Sequence, residues 1–391
     1  MSGKNDVYCD ACIEALLLAN ASLTQMCVSE LLKKVPYGAH DKSDTYAFDA
    51  ASEIQIKDCL TRFDNDSVLV TEELGVNFLE NWPNFSDIAF HPSVFFCDPT
   101  DRSRHLLDFL TLVPEEDRGE KFGEIISQNK ALEGWEKIGG GPASITGASA
   151  AITCVRRGRI IFSVLLNYIT QELIVACSSG VKIIKLENYG LLKHSRITLI
   201  DVVKKGKTID FNPISPESPW DNFKYFTAFQ GSEKKKGYAE NMRESDILAE
   251  EEREKFIRYK EPGGPARILY LSSLHLPEEP MGFILANGEK ITEWIHWIPF
   301  VRFSKCGERK NLRLFEISQT TPHTKEGILM ATSPIYSVFQ RFDGIMALDV
   351  NFLRRFPNPS RYRSTLIVAP FNNEWVNYLM QQLCYREIIL D

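Results

Sequence analysis

Apolar residues recur at helical spacing through the first stretch of the chain: Val7, Ile13, Leu16, Leu17, Leu23, Met26, Val28, Leu31 and Leu32. That spacing predicts a half-buried helix, and Lys33-Lys34 supplies the basic residues that suit its C-terminus. Lys42 to Asp49 reads as a polar connection, and Asp49 to Phe63 as a second helix with Ile54, Ile56, Leu60 and Phe63 turned inward. Two compact apolar runs follow. Ser67 to Val70 runs straight into Thr71-Glu72-Glu73, and Val94 to Cys97 runs straight into Asp98-Pro99-Thr100-Asp101.

From Ala148 to Ile184 the pattern changes to strands with tight turns. Ala148 to Arg156, Arg159 to Tyr168, Glu172 to Cys177 and Val181 to Leu186 are separated by Arg157-Gly158 and Ser179-Gly180, an antiparallel meander. Pro213, Pro216 and Pro219 among Ser and Asn mark a connection between domains. The predicted division is 1–208, an α+β domain carrying the acids, and 209–391, an α/β domain completing a cleft. In the second part, Tyr225 to Phe229, Arg267 to Leu274, Leu312 to Ile317 and Ser364 to Ala369 read as strands. Glu240 to Tyr259, Pro334 to Asp349 and Asn373 to Cys384 read as helices. Mixed helices and mostly antiparallel strands in two blocks predict a layered sandwich, α/β or α+β.

Composition narrows the function classes. The 391 residues suffice for two or three domains with sizeable cores. The 45 basic and 52 acidic side chains leave a net charge of −7, which gives no basic field for a nucleic acid. Nine scattered cysteines without framework spacing read as reduced thiols, and Cys9-x-x-Cys12 as two core residues of the first helix. No run approaches the ~20 apolar residues of a membrane span, and the early acids Asp6, Asp10 and Glu14 are wrong for a signal peptide. The expectation is a cytoplasmic chain free of membranes.

The chemistry concentrates in the acids at the two strand ends. Carboxylates where buried strands emerge converge on one sheet edge, and hard cations such as Mg²⁺ take oxygen ligands of this kind. Solvated loop acids would have the same composition, so residue types alone leave both readings open. Gly139-Gly-Gly-Pro142 and Pro262-Gly263-Gly264-Pro265 lack the Lys-Ser/Thr of a nucleotide-binding loop and read first as turns.

Asp98-Pro99-Thr100-Asp101-Arg102-Ser103 resembles the DPxDGT/S motif of the inositol monophosphatase superfamily of Mg²⁺-dependent phosphomonoesterases, which includes bisphosphate nucleotidases and fructose-1,6-bisphosphatases. Val70-Thr71-Glu72-Glu73 resembles that family's upstream Glu-Glu motif, and the leading helices, the meander and the segment Arg363 to Ala369 are similar to the family's. The resemblance implies alternating α-β-α-β-α layers. It implies that Glu72, Asp98 and the Thr100 carbonyl hold one metal, that Asp101 joins two metals, and that Asp49 lies near a third position. Glu72 and Ser103 would position the attacking water, while Arg102, Ser103, Gly263 and Gly264 would meet substrate and its phosphate.

Two departures stand out. Arg102 replaces the family's Gly, which is expected to change the turn and set a guanidinium beside the phosphate. The later Trp-Asp motif is matched by Trp294-Ile295-His296-Trp297, where Ile295 takes the second-metal position and His296 is packed or faces substrate. Asp343 offers a rival carboxylate. The expected function is hydrolysis of a phosphomonoester on a small molecule (an inositol phosphate, 3′-phosphonucleotide or sugar phosphate) with Mg²⁺, the second ion being in doubt. The alternative is a catalytically impaired relative that binds a phosphorylated ligand or a protein. The expected partners are that small metabolite and a second copy of the chain.

Overall fold

A computed structural model describes residues 3–38, 44–78, 93–139, 147–186, 197–211, 224–228, 257–259, 265–271, 281–306, 309–310, 312–317, 339–342, 345–348, 363–370 and 385–387. Helix α1 (Gly3–Gln25) and helix α2 (Ala47–Phe63) pack together on one face of a sheet. That sheet contains β1 (Val68–Thr71), β2 (Gly75–Phe78), β3 (Val94–Asp101), β4 (Ser149–Arg156), β5 (Arg159–Asn167), β6 (Glu172–Cys177), β7 (Gly180–Lys185) and β8 (Lys207–Thr208), in the order β8-β7-β6-β5-β4-β3-β1-β2. The predicted meander is β4 to β7, each strand antiparallel to the next. The pair β1 and β3 runs parallel, with Val70 opposite Phe96, so both carboxylate segments leave the same sheet edge.

Alternation along the strands shows why this sheet lies between two layers. Leu69, Phe95, Cys97, Ile152 and Cys154 join the core containing Cys9, Cys12, Leu16, Ile56 and Leu60 from the helices. Val68, Val70, Val94, Phe96 and Ala151 join a different core, with Trp294, Ile298 and Phe300. Those last residues belong to α3 (Ile291–Trp294) and α4 (Trp297–Phe303), the layer between the first sheet and a second one. The second sheet holds β9 (Lys224–Ala228), β10 (Ile257–Tyr259), β11 (Met281–Lys290), β12 (Leu312–Ile317), β13 (Arg363–Pro370) and β14 (Tyr385–Glu387), ordered β10-β9-β11-β13-β12-β14. Its Ile284, Leu312, Leu314, Leu366 and Val368 complete the second core. The molecule is a layered α/β sandwich.

Several segments differ from the sequence reading. Residues Pro265–Leu271 form a 3-10 helix where a strand was expected, with Ala266, Ile268, Leu269 and Leu271 all buried in the second core. A short apolar run of this kind is shared by a central strand and a buried helical turn, and periodicity cannot tell them apart. Phe339–Phe342 and Ile345–Leu348 form an antiparallel hairpin in place of a helix. Phe342-Asp343-Gly344 was the missed signal, because Asp-Gly between apolar runs is a hairpin turn. Ile257–Tyr259 is a strand, so the expected charged helix does not extend to Tyr259. The closing helix expected at 373–384, and Gly263, Gly264 and Asp343, lie outside the described residues.

Helix α1 also corrects an expectation. Asn5–Gln25 is long and apolar enough, with a mean hydropathy of 1.3, to cross a membrane on length and composition alone. Here its apolar side, from Cys9 to Leu23, is buried against the first sheet. Both Cys9 and Cys12 face that core as free thiols, and burial pushes both well up from their ordinary range.

One polar contact ties the helix layer to the acid-bearing turn. Ser52 of α2 and Tyr168 both reach the Pro99 carbonyl at 2.9 Å and lie 2.5 Å from one another. Two hydroxyls own two hydrogens, so one hydroxyl donates to the other and the second donates to Pro99. Both residues are fully buried. Tyr168→Phe should therefore lower stability by about 1 kcal/mol, the net worth of one buried hydrogen bond, since Ser52 still donates to Pro99. Urea unfolding checks this: a midpoint equal to wild type would show that the hydroxyls do not hold the turn.

Candidate metal centre

Strand β3 reaches the sheet edge with an irregularity that positions its aspartates. Asp98 pairs with Ala151 and Asp101 with Ser149, so three steps on β3 answer two on β4. Pro99, which has no N–H to donate to the ladder, sits in this bulge. The Thr100 N–H turns back to Asp98 Oδ1 at 3.2 Å. Asp98 and Asp101 are each 1% exposed.

Arg102 follows at φ 64° and ψ 51°, the left-handed conformation. This is a backbone shape suited to Gly, adopted at a cost of about 1 kcal/mol for a residue with a Cβ. The guanidinium does not stand in an open phosphate pocket. Its side chain is 8% exposed and its Nε lies 3.9 Å from Asp101 Oδ1. Directly afterwards a nine-residue helix, Ser103–Thr111, begins.

Glu72 stands just beyond β1, in the turn to β2, with Gly75 at φ 75° closing that turn. One carboxylate oxygen each from Glu72, Asp98 and Glu293 lies within 4.8 Å of the other two. Glu293 was absent from the sequence reading. Ile295 is buried in the second core, and the carboxylate two residues earlier meets Asp98. The detectable signal was an acid beside Trp294 at a strand-to-helix junction, obscured by the search for a Trp-Asp order.

The second residue the sequence reading missed is Lys290, the last of β11. Its ammonium forms an ion pair with Glu72 Oε1 and lies 3.7 Å from Glu293 Oε1. Its backbone N–H also donates to Glu293 Oε2 at 2.7 Å, so the first turn of α3 holds the Glu293 side chain in place. Burial pushes Asp98 well above the carboxylate range, and the charges of Glu72, Asp101 and Glu293 push it the same way. Lys290 opposes them.

Ser103 and Asp49 form a neighbouring group. Ser103 Oγ lies 3.0 Å from both Asp49 Oδ1 and the Thr100 carbonyl, and Thr45 donates to Asp49 Oδ2 at 3.2 Å. Glu53, one turn along α2, accepts from the Leu74 N–H at 3.3 Å. His296 is elsewhere. Its ring is fully buried, Nδ1 is 2.7 Å from Thr153 Oγ1, and burial holds its pKa down to about 3. His105 stacks at a tilt on Trp135, with ring centroids 5.5 Å apart.

The donor chemistry fits a divalent cation. Three carboxylates supply hard oxygens, and Asp98 Oδ2 is fully buried with no hydrogen-bond partner. With all three acids ionised, the charge of Lys290 leaves a net deficit of two. A buried deficit of that size is unstable without a counter-ion.

Burial first, and then the charge of Glu73, raises Asp49 from 3.8 to about 8, against the lowering effect of the Ser103 hydroxyl. Its folded pKa lies above its unfolded one, so the stability it contributes is complete below about pH 4 and is lost as pH rises through about 8. In chelator, wild-type stability should fall over that window, and Asp49→Asn should flatten the fall by up to about 1.4 kcal/mol per pH unit. Thermal midpoints of both proteins measured across the window decide it; parallel curves would count against the assignment.

No protein-family model matches the sequence, and no curated protein matches it. Solved structures do. An inositol monophosphatase–fructose 1,6-bisphosphatase aligns over 98% of this chain and 100% of its own, with a TM-score of 0.50 and 11% identity. An inositol monophosphatase from Anabaena (Nostoc) sp. PCC 7120 aligns over 97% of each chain, at 0.49 and 11%. The extragenic suppressor protein suhB from Bartonella henselae aligns over 78% of this chain and 85% of its own, at 0.44 and 13%. Taken with the sheet order and the acids at the parallel strand ends, the chain has the fold of the inositol monophosphatase–fructose 1,6-bisphosphatase.

Proposed function

We propose that this chain is a divergent member of the inositol monophosphatase superfamily, a divalent-cation-dependent phosphomonoesterase acting on a small phosphorylated metabolite. The observation that carries the reading is the meeting of Glu72, Asp98 and Glu293 within 4.8 Å where two strands and a helix start converge. These residues would hold the cation, Mg²⁺ on this reading. Once bound it would neutralise phosphoryl charge and make water a better nucleophile.

The protein's own groups contribute positioning, which phosphoryl transfer chiefly needs. The bulge at Pro99 fixes Asp98 and Asp101, and the Ser52–Tyr168 pair fixes the bulge. First-turn N–H groups of a helix lack intrahelical acceptors, which makes the start of the Ser103 helix the natural grip for a phosphate. The backbone of Arg102 and Ser103 takes that role, while the Arg102 side chain serves Asp101. Glu72 is the acid best placed to orient water, because its ion pair with Lys290 fixes the direction of its carboxylate. Ser103 is already engaged with Asp49 and the Thr100 carbonyl, so its part is to brace the turn.

A second reading, a relative that binds a phosphorylated ligand without turning it over, is favoured by one observation. The Lys290 ammonium occupies part of the coordinating capacity of Glu72. Phosphate release from inositol 1-phosphate, 3′-phosphoadenosine 5′-phosphate and fructose 1,6-bisphosphate, with and without Mg²⁺, separates the two. Release from any of them that depends on Mg²⁺ supports the enzyme; retained binding of these esters without release supports the second reading. Asp98→Asn removes one charge and little volume, so the variant should fold while losing release by about 100-fold, the upper end of losses measured even for outer partners of metal ligands. Release equal to wild type would remove Asp98 from the mechanism.

A further inference from the structure

The positive side chains at the acid cluster lead to a statement about how many ions it takes. The groups that act on Asp98 are Glu72, Asp101 and Glu293, all acidic, with Lys290 opposing them. Arg102 adds a second cation, 3.9 Å from Asp101 and 8% exposed. With all four carboxylates ionised, Lys290 and Arg102 leave two negative charges uncompensated among these groups, the charge of one divalent ion. A second divalent ion would give this half-sealed cluster a surplus of two positive charges, and would have to share its ligands with an ammonium and a guanidinium that cannot leave.

We propose that the site takes a single divalent cation, and that Lys290 and Arg102 supply in fixed form the positive charge that a second ion would bring. The proposal rests on the metal-dependent reading above and specifies it. The two residues divide the work by geometry. Lys290 sits on Glu72 and near Glu293, at the junction of the two sheets. Arg102 sits on Asp101, the residue that would join two ions on the family resemblance. Asp98, whose Oδ2 has no hydrogen-bond partner, is the ligand that neither cation touches, and with Glu72 and Glu293 beside it takes the one exchangeable ion.

The test is Mn²⁺ binding to the purified full chain, counted by electron paramagnetic resonance and by calorimetry. Four proteins are compared: wild type, Lys290→Met, Arg102→Gly and the double variant. Glycine suits the left-handed backbone at position 102, so that substitution removes the guanidinium without straining the turn. Wild type should bind one Mn²⁺ per chain, and the double variant two, with Mn²⁺–Mn²⁺ coupling in its spectrum. Lys290→Met alone should tighten the first ion by about ten-fold or more through loss of a nearby like charge.

A companion measurement covers a variant that fails to fold. Without metal, Lys290→Met should melt below wild type because its carboxylates have lost their counter-charge, and added Mn²⁺ should restore it; Lys290→Arg should behave as wild type. Two ions in wild type, or one ion at unchanged affinity in every variant, would overturn the proposal while leaving the metal-dependent reading intact. No ion in wild type at millimolar Mn²⁺ would overturn both.

Discussion

The constraint on which the rest of this structure depends is the cost of burying carboxylates together. Asp98 and Asp101 are almost fully enclosed at the end of β3, with Glu72 and Glu293 against Asp98. Like charges in a desolvated pocket are held only by hydrogen bonds, by counter-charge or by taking up protons. All three are present here. The Thr100 N–H serves Asp98, Lys290 and Arg102 supply charge, and Asp49 and Glu53 rise to about 8. The local backbone follows from this need. A proline bulge and a left-handed Arg102 are both unfavourable features for a strand end, and both serve to aim charged groups.

Counter-charge comes from distant sequence. Glu72 and Asp98 belong to the first sheet, Lys290 and Glu293 to the end of the second sheet and the helix it enters, and Lys290 and Glu72 are 218 residues apart. The site therefore exists only when the two sheets are packed through the apolar layer of Trp294, Trp297, Ile298 and Phe300. Trp294 follows Glu293 directly and is fully buried, so the packing that joins the layers also sets the direction of the acid beside it. A cation held by both halves would stabilise their association by its binding free energy.

This separation explains what could be read from sequence and what could not. The acids of the first sheet were legible because each follows an apolar run directly: a buried strand followed by a carboxylate says where the carboxylate emerges. The meander was legible for the same reason, its turns being marked by Arg157-Gly158 and Ser179-Gly180. Glu293 and Lys290 were not, because nothing in Lys290-Ile-Thr-Glu293 states which strand end it will meet. The expected residue order Trp-Asp drew attention to Ile295, and a two-residue displacement along a helix turn was enough to hide the acid that takes part. The left-handed backbone of Arg102 was not legible either, because residue type disfavours it and only the junction of strand end and helix start shows it.

The same physics orders the two cations at the cluster, Arg102 and Lys290. Taken singly, a guanidinium in place of Gly looks like damage to a phosphate site, and an ammonium against Glu72 looks like a blocked metal ligand. Taken together they carry opposite charge to the acidic group of Glu72, Asp98, Asp101 and Glu293. Unpaired buried carboxylates destabilise a fold. Here Glu72, Asp98, Asp101 and Glu293 bear on one another at a desolvation cost that Lys290 only partly offsets, and a counter-charge from outside the chain would relieve the remainder.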